Sequence, residues 1–170
     1  MDRSLAFKKG SDFEISVYLT LKRQLKNTLV MHDVHIPADP NPAQIDILVV
    51  RGWSFYILEL KNYESSLTGI LKDKKWVAKS DKHTYNVQNP LQQNNNQALK
   101  LMRALNDKGF TLPQVKNCYI IVPATCRLNI DVHLKNAVMT LDSFINLIKK
   151  SEPGEGDINK LREVLLEWKK

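Results

Sequence analysis

No stretch of this chain approaches the ~20 consecutive apolar residues that cross a bilayer. Its opening, Met1-Asp2-Arg3-Ser4, lacks the apolar run of a signal peptide. The expectation is a cytoplasmic protein. Cysteine is scarce: Cys118 and Cys126 make neither a disulfide framework nor a C-x-x-C motif, and read as two ordinary thiols. There is no internal repeat and no composition break that would mark a domain boundary, so residues 1–170 read as a single domain. The motif-bearing core is expected at about 11–123, with a C-terminal strand and helices at about 137–170. Acidic residues are in deficit, with 18 Asp+Glu against 25 Lys+Arg, a net charge of +7 and a pI near 9.4. That balance favours a polyanionic partner, and nucleic acid is the commonest one, although many basic proteins bind none.

What is present is ordinary globular material, 43% hydrophobic and 25% charged. Ser11 to Asn27 reads as a helix on the spacing of Val17, Tyr18, Leu21 and Leu25, with Ser11 as N-cap. Leu29–Ile36, Gln44–Arg51 and Ser54–Asn62 read as strands, and Leu67–Ile70 with Lys75–Lys79 as a short pair around a charged turn. Asn89-Pro90 opens a long helix that Gly109 ends. Asn117–Val122 and Ala137–Thr140 are further strands. Asp142–Lys150 and Asp157–Trp168 are closing helices separated by the loop 151–156. This order predicts an α/β fold, a mixed sheet with helices on both faces.

The informative segment runs from Gln44 to Lys61. If Gly52-Trp53 makes a two-residue II′ turn, Arg51 faces Ser54, Leu48 faces Ile57, Asp46 faces Glu59 and Gln44 faces Lys61. Opposed residues share a face with Cβ atoms about 5 Å apart, and Lys61, two residues past Glu59, points the same way. A one-residue slip would turn one carboxylate away. Both strands are apolar on both faces and should be buried, so two adjacent carboxylates need compensation. Either a hard cation bridges them, as Mg²⁺ is held by one or two carboxylates and substrate phosphate, or Lys61 neutralises them in a structural ion pair.

Asp, hairpin, Glu-x-Lys is the pattern of the PD-(D/E)xK nucleases, here Asp46 … Glu59-Leu60-Lys61 without the preceding proline. The chain resembles the nuclease-related NERD family from about Asp12 to Gln97. The resemblance is carried by Glu14, His32-Asp33-Val34, Gln44-Ile45-Asp46, Glu59-Leu60-Lys61-Asn62-Tyr63, Gly69, Trp76 and Asn89-Pro90-Leu91-Gln92-Gln93. It departs from the family at Phe13, where a Gly commonly precedes the helix Glu. The resemblance implies a restriction-endonuclease-like core. It implies Mg²⁺ or Mn²⁺ held by Asp46, Glu59 and the Leu60 carbonyl, with Lys61 orienting or deprotonating the attacking water or stabilising phosphate charge.

The other candidates carry two readings each. Glu14 completes a capping box with Ser11 or, with the family match, supports the metal site. Gln93 fits the site through the Asn-Pro-x-x-Gln match, whereas Gln97, four residues on, reads as solvated. His32 and His35 fall on opposite faces of their strand and read as structural or surface residues; His83 and His133 read as loop residues. Trp53 and Trp76 are candidate stacking platforms for bases and Trp168 a core residue. Lys72, Lys74, Lys75, Lys79 and Lys82 form a basic run that can track a phosphate backbone. The function expected is hydrolysis of phosphodiester bonds, in DNA before RNA, with no membrane partner and with a homodimer left open. The rivals are a non-catalytic nucleic-acid-binding module and a protein-recruiting domain on the same fold.

Overall fold

The computed structural model describes residues 3–110, 117–153 and 158–169, with side chains from Gly10 onward. Among the described residues there are four α-helices, α1 (Arg3–Gln24), α2 (Pro90–Asp107), α3 (Leu141–Lys150) and α4 (Ile158–Glu167). The strands are β1 (Leu29–Ile36), β2 (Ala43–Arg51), β3 (Ser54–Leu60), β4 (Ser66–Gly69), β5 (Lys75–Ser80), β6 (His83–Gln88), β7 (Cys118–Val122), β8 (Arg127–Ile130) and β9 (Val138–Thr140). They form two sheets. The larger has the order β1-β2-β3-β7-β9, antiparallel through β3 and parallel beyond it; the smaller has the order β6-β5-β4-β8. The fold is mixed α/β and consistent with a restriction-endonuclease-like core.

The large sheet is apolar on both faces because helices cover both. On one face Leu48, Val50 and Ile57 pack against Leu101 and Leu105 of α2 and Leu161 and Leu165 of α4. On the other, Ile47, Val49 and Leu58 pack against Val17, Leu21 and Leu25 of α1 and Phe144 and Ile148 of α3. Burying a side chain of this size stabilises by about 1.5–3 kcal/mol, so a polar substitution at Leu48 or Leu58 would break the core. The Gly52-Trp53 turn sets the register as expected: Arg51 faces Ser54 and Leu48 faces Ile57. Gly52 has φ +58, the left-handed conformation that a II′ turn asks of its first residue.

The small sheet departs from the expected hairpin. β6 and β8 were not foreseen, since β6 (His83–Gln88) is largely exposed and alternates little, and β8 follows the polar turn after Val122. Its core is Trp76, Leu67 and Ala78, packed on Leu91, Ile120 and Val138. Trp76 lies flat against Gly69, where an added Cβ would sit 2.2 Å from the indole ring. The indole N–H donates to the Ile70 carbonyl at 2.9 Å. Trp76 is therefore a core residue and not a stacking platform. Trp168, 7% exposed, is core as expected, and Trp53 is half-buried against Phe55 and Phe110.

One helix start corrects the expectations and the other bears them out. α1 begins at Arg3, so Ser11 lies inside the helix and cannot cap it; the capping-box reading of Glu14 falls. Asn89 does cap α2, its side chain accepting from Leu91 N–H at 3.0 Å, worth about 1 kcal/mol. Its amide also donates to the Leu71 and Asp73 carbonyls at 2.9 and 2.8 Å. One buried side chain thus ties the start of α2 to the turn between β4 and β5. His83 begins β6 instead of lying in a loop. The expected loop 151–156 and the first residue of the helix expected from Asp157 lie partly outside the described residues.

Candidate active site

The site forms where β2 and β3 part. The ladder pairs Ile47 with Leu58 and goes no further; the next positions in register are Asp46 and Glu59, on one face as expected. The ladder ends before the expected Gln44–Lys61 pairing can form, and the Lys61 N–H bonds the Ile121 carbonyl of β7 at 3.0 Å. The Asp46 side chain takes over the missing ladder bond, its Oδ2 accepting from the Leu60 N–H at 2.8 Å. In an extended strand the carbonyl points to the same side as the N–H, so the Leu60 carbonyl faces the edge that carries Asp46. On the other flank, β1 pairs at His32–Ile47 and Val34–Ile45 but skips Asp33 opposite Asp46. Asp33 has φ +54, a left-handed conformation that Asp tolerates better than most residues.

Two helices close on this opening. From α2, Gln97 donates to Glu59 Oε2 at 2.9 Å and to the Gln44 carbonyl at 2.8 Å. Gln93 Oε1 accepts from Lys61 Nζ at 3.2 Å, and Lys61 Nζ pairs with Glu59 Oε1 at 3.0 Å. Next to Gln93 in the helix, buried Asn94 donates to the Ile57 and Tyr119 carbonyls and so pins α2 across β3 and β7. From α1, half-buried Glu14 reaches the same opening. The result is a cleft of about 530 Å³ lined by Glu14, His32, Asp33, Asp46, Glu59 and Lys61, among others.

The electrostatics are unbalanced. Burial, with the Glu59 charge next and Glu14 adding, pushes the Asp46 carboxyl up to about 7, against the opposing Leu60 N–H and Lys61. Burial also raises Glu14, helped by Asp33 and Glu59 and opposed by His32. Burial lowers Lys61, but the Glu59 charge and hydrogen bond, then Tyr63 and Asp46, outweigh it and hold the ammonium above its ordinary value. An acidic cleft thus lies in a basic protein, lined by one lysine and four carboxylates. Among the described residues no group of three His, Cys, Asp or Glu side chains forms a ready metal cage. The oxygen donors nonetheless fit a hard divalent ion held by one or two carboxylates, water and substrate. Gln97 Oε1, buried and without a partner, adds one more unmet acceptor there.

The residues read from sequence sort as follows. Asp46, Glu59, Lys61 and Gln93 come together, and Glu14 lines the same cleft. Gln97 was read as solvated and is instead 8% exposed and bonded to Glu59. The signal was available, since i and i+4 share a helix face, but the polar tract 92–97 masks which face is buried. Asp33 was missed as a cleft residue, although it stands in the His32-Asp33-Val34 block that carries the family resemblance. His32 lies at the cleft against Tyr18, ring centres 4.4 Å apart, and His35 pairs with Asp33 at 3.0 Å. His133 lies in a short 3₁₀ helix, Val132–Asn136. Burial pushes both Cys118 and Cys126 up to about 11, as inert thiols require.

A helix-flanked mixed sheet that carries Asp, then Glu-x-Lys, at the parting of two central strands is the arrangement of restriction-endonuclease-like proteins. The family model for the nuclease-related domain matches residues 9–123, and the chain belongs to that family, NERD. No curated protein and no solved structure shows significant similarity to the chain. Among the described residues no helix is long and apolar enough to cross a membrane.

Proposed function

We propose that the protein is a divalent-metal-dependent nuclease that hydrolyses phosphodiester bonds, in DNA before RNA. The observation that carries this reading is Asp46 beside Glu59 on one face, two largely buried acids with a single base between them. An acidic cleft repels a phosphodiester unless a cation joins them, and a purely structural ion pair has no use for the second acid. Asp46, Glu59 and the Leu60 carbonyl would hold Mg²⁺ or Mn²⁺. When bound, the ion would lower the pKa of water and neutralise charge on the phosphate.

The chain's own residues do the rest. Lys61, held protonated, does not serve as a base; its Nζ donates to a non-bridging phosphate oxygen as charge builds there. Gln93, already on Lys61, fixes where that ammonium points and offers an amide to water. Gln97 holds Glu59 in place. Glu14, with its carboxyl raised, lies near enough to exchange protons with water in the cleft. Hydrolysis adds water across one P–O bond, leaving a phosphomonoester and a hydroxyl.

A second reading, a nucleic-acid-binding module without catalysis, is favoured by one observation: both Glu59 oxygens are already held, by Lys61 and Gln97. The deciding experiment incubates the protein with labelled single-stranded, duplex and branched DNA and with RNA, in Mn²⁺ or EDTA, alongside Lys61→Ala. Metal-dependent cleavage lost by about a hundred- to thousand-fold in a variant that still binds and melts normally supports the nuclease. A parent that cleaves nothing, with a variant that melts early, supports the binding module.

A further inference from the structure

Past Lys61 the acid cleft opens into a second hollow of about 450 Å³. It shares Gly10, Leu60, Lys61 and Asn62 with the cleft, so the two are continuous around the lysine. That size lies within the ~300–1,000 Å³ of small-molecule sites. Its walls differ from those of the acid cleft. Tyr63, half-buried, packs on the small-sheet core. Tyr85 is 37% exposed and pairs with Ala78, and Val87 pairs with Trp76, so the strand alternation sets Tyr85 and Val87 on one face. The rest is lined by Asn62, the strand at Asn86, the acids Glu64 and Asp81, and Ser80, whose hydroxyl accepts from the Glu64 N–H at 3.1 Å.

We infer that this hollow is a nucleobase subsite, and that the substrate enters as an unpaired strand. Two aromatic rings with amide, hydroxyl and carboxylate groups at the rim suit a flat heterocycle whose edge both donates and accepts. Lys61 at the junction suits the phosphate one sugar away, so the base beside the phosphate held there reaches the hollow. Lys82, exposed in the turn beside Asp81, can follow the backbone of the same strand. A base in duplex is stacked on both sides and must be unstacked to enter such a site, whereas a base in a single strand or at a frayed end is available. The inference rests on the nuclease reading for the role of Lys61 and extends it to the class of substrate.

The test is binding in EDTA, so that cleavage plays no part. Fluorescence anisotropy compares three probes at one salt concentration: a labelled octathymidylate, an abasic oligomer with the same number of phosphates, and a blunt duplex. Wild type should prefer the single strand over the abasic oligomer by about fivefold to a hundredfold, the range of one aromatic–base stack, and over the duplex as well. Tyr85→Phe should keep that preference and Tyr85→Ala should lose most of it; both change an exposed strand position and spare the core. Equal binding of the abasic oligomer, tighter binding of the duplex, or an unchanged preference in Tyr85→Ala overturns the subsite. Failure of the nuclease reading looks different: base preference intact with no cleavage in Mn²⁺. Cleavage without base preference refutes the subsite alone.

Discussion

Replacing Asp46 by Asn should make the metal-free protein more stable at neutral pH while removing its response to divalent ions. Burial and the neighbouring Glu59 push the Asp46 carboxyl up to about 7 from an ordinary 3.8. Each pH unit of such a rise is worth about 1.4 kcal/mol, so ionised Asp46 costs the fold up to about 4 kcal/mol. Because part of that repulsion belongs to Glu59 as well, about 2–4 kcal/mol is the expected gain from Asn. The amide keeps an oxygen for the Leu60 N–H and removes the charge. The sign follows from proton linkage. Between pH 4 and 7 the folded state binds the extra proton and the unfolded chain does not, so wild-type stability from this group is full below about pH 4 and lost as pH rises through 7. The gap between variant and wild type should therefore be small near pH 4, widen with pH and level off above 7. Urea melts in EDTA at pH 4.5, 6 and 8 measure it. A constant gap across pH, or a variant less stable than wild type at pH 8, would refute the electrostatic account and mean that Lys61 already compensates both acids. Excess Mn²⁺ should close the gap from the wild-type side, since only a protein that binds the ion gains from it.

Other consequences are as direct. Gly69→Ala would drive a methyl into the Trp76 ring and should destabilise by about 1–3 kcal/mol or more, read by thermal melting. Gln97→Leu leaves a Glu59 oxygen and the Gln44 carbonyl without their donor and should cost about 1–3 kcal/mol in a urea titration; a neutral result would mean that water replaces the amide. Affinity for single-stranded DNA should fall linearly on a log–log salt plot, with a slope of about −0.7 for each phosphate neutralised. A flat titration would remove the lysines as the docking surface.

The local code carried the Asp, hairpin, Glu-x-Lys pattern and little else of the site. Alternating and continuous apolar runs marked β1, β2 and β3, and Gly52 in a two-residue turn fixed their register, because a slip of one residue would expose a buried face. From that register alone Asp46 falls opposite Glu59. Asn89-Pro90 announced α2 because capping is a contact between residues two apart. Ser11 failed as a cap for the converse reason: a good capping side chain does not stop a helix whose preceding residues continue it.

What the sequence could not express are the contacts made across long separations. Gln97 meets Glu59 over 38 residues; it closes the polar tract 92–97, which hides its burial, and the seating of α2 on β3 and β7 through Asn94 reveals it. Asp33 enters the cleft because β1 lies beside β2. Trp76 is core because the small sheet folds it onto Gly69, and the hollow past Lys61 exists only because β5 and β6 stand next to the end of β3. Spacing along the chain determined which acids and which lysine would share a strand face. Tertiary packing decided how far they are stripped of water, and that desolvation, with the Glu59 charge beside it, pushes the Asp46 carboxyl up to about 7.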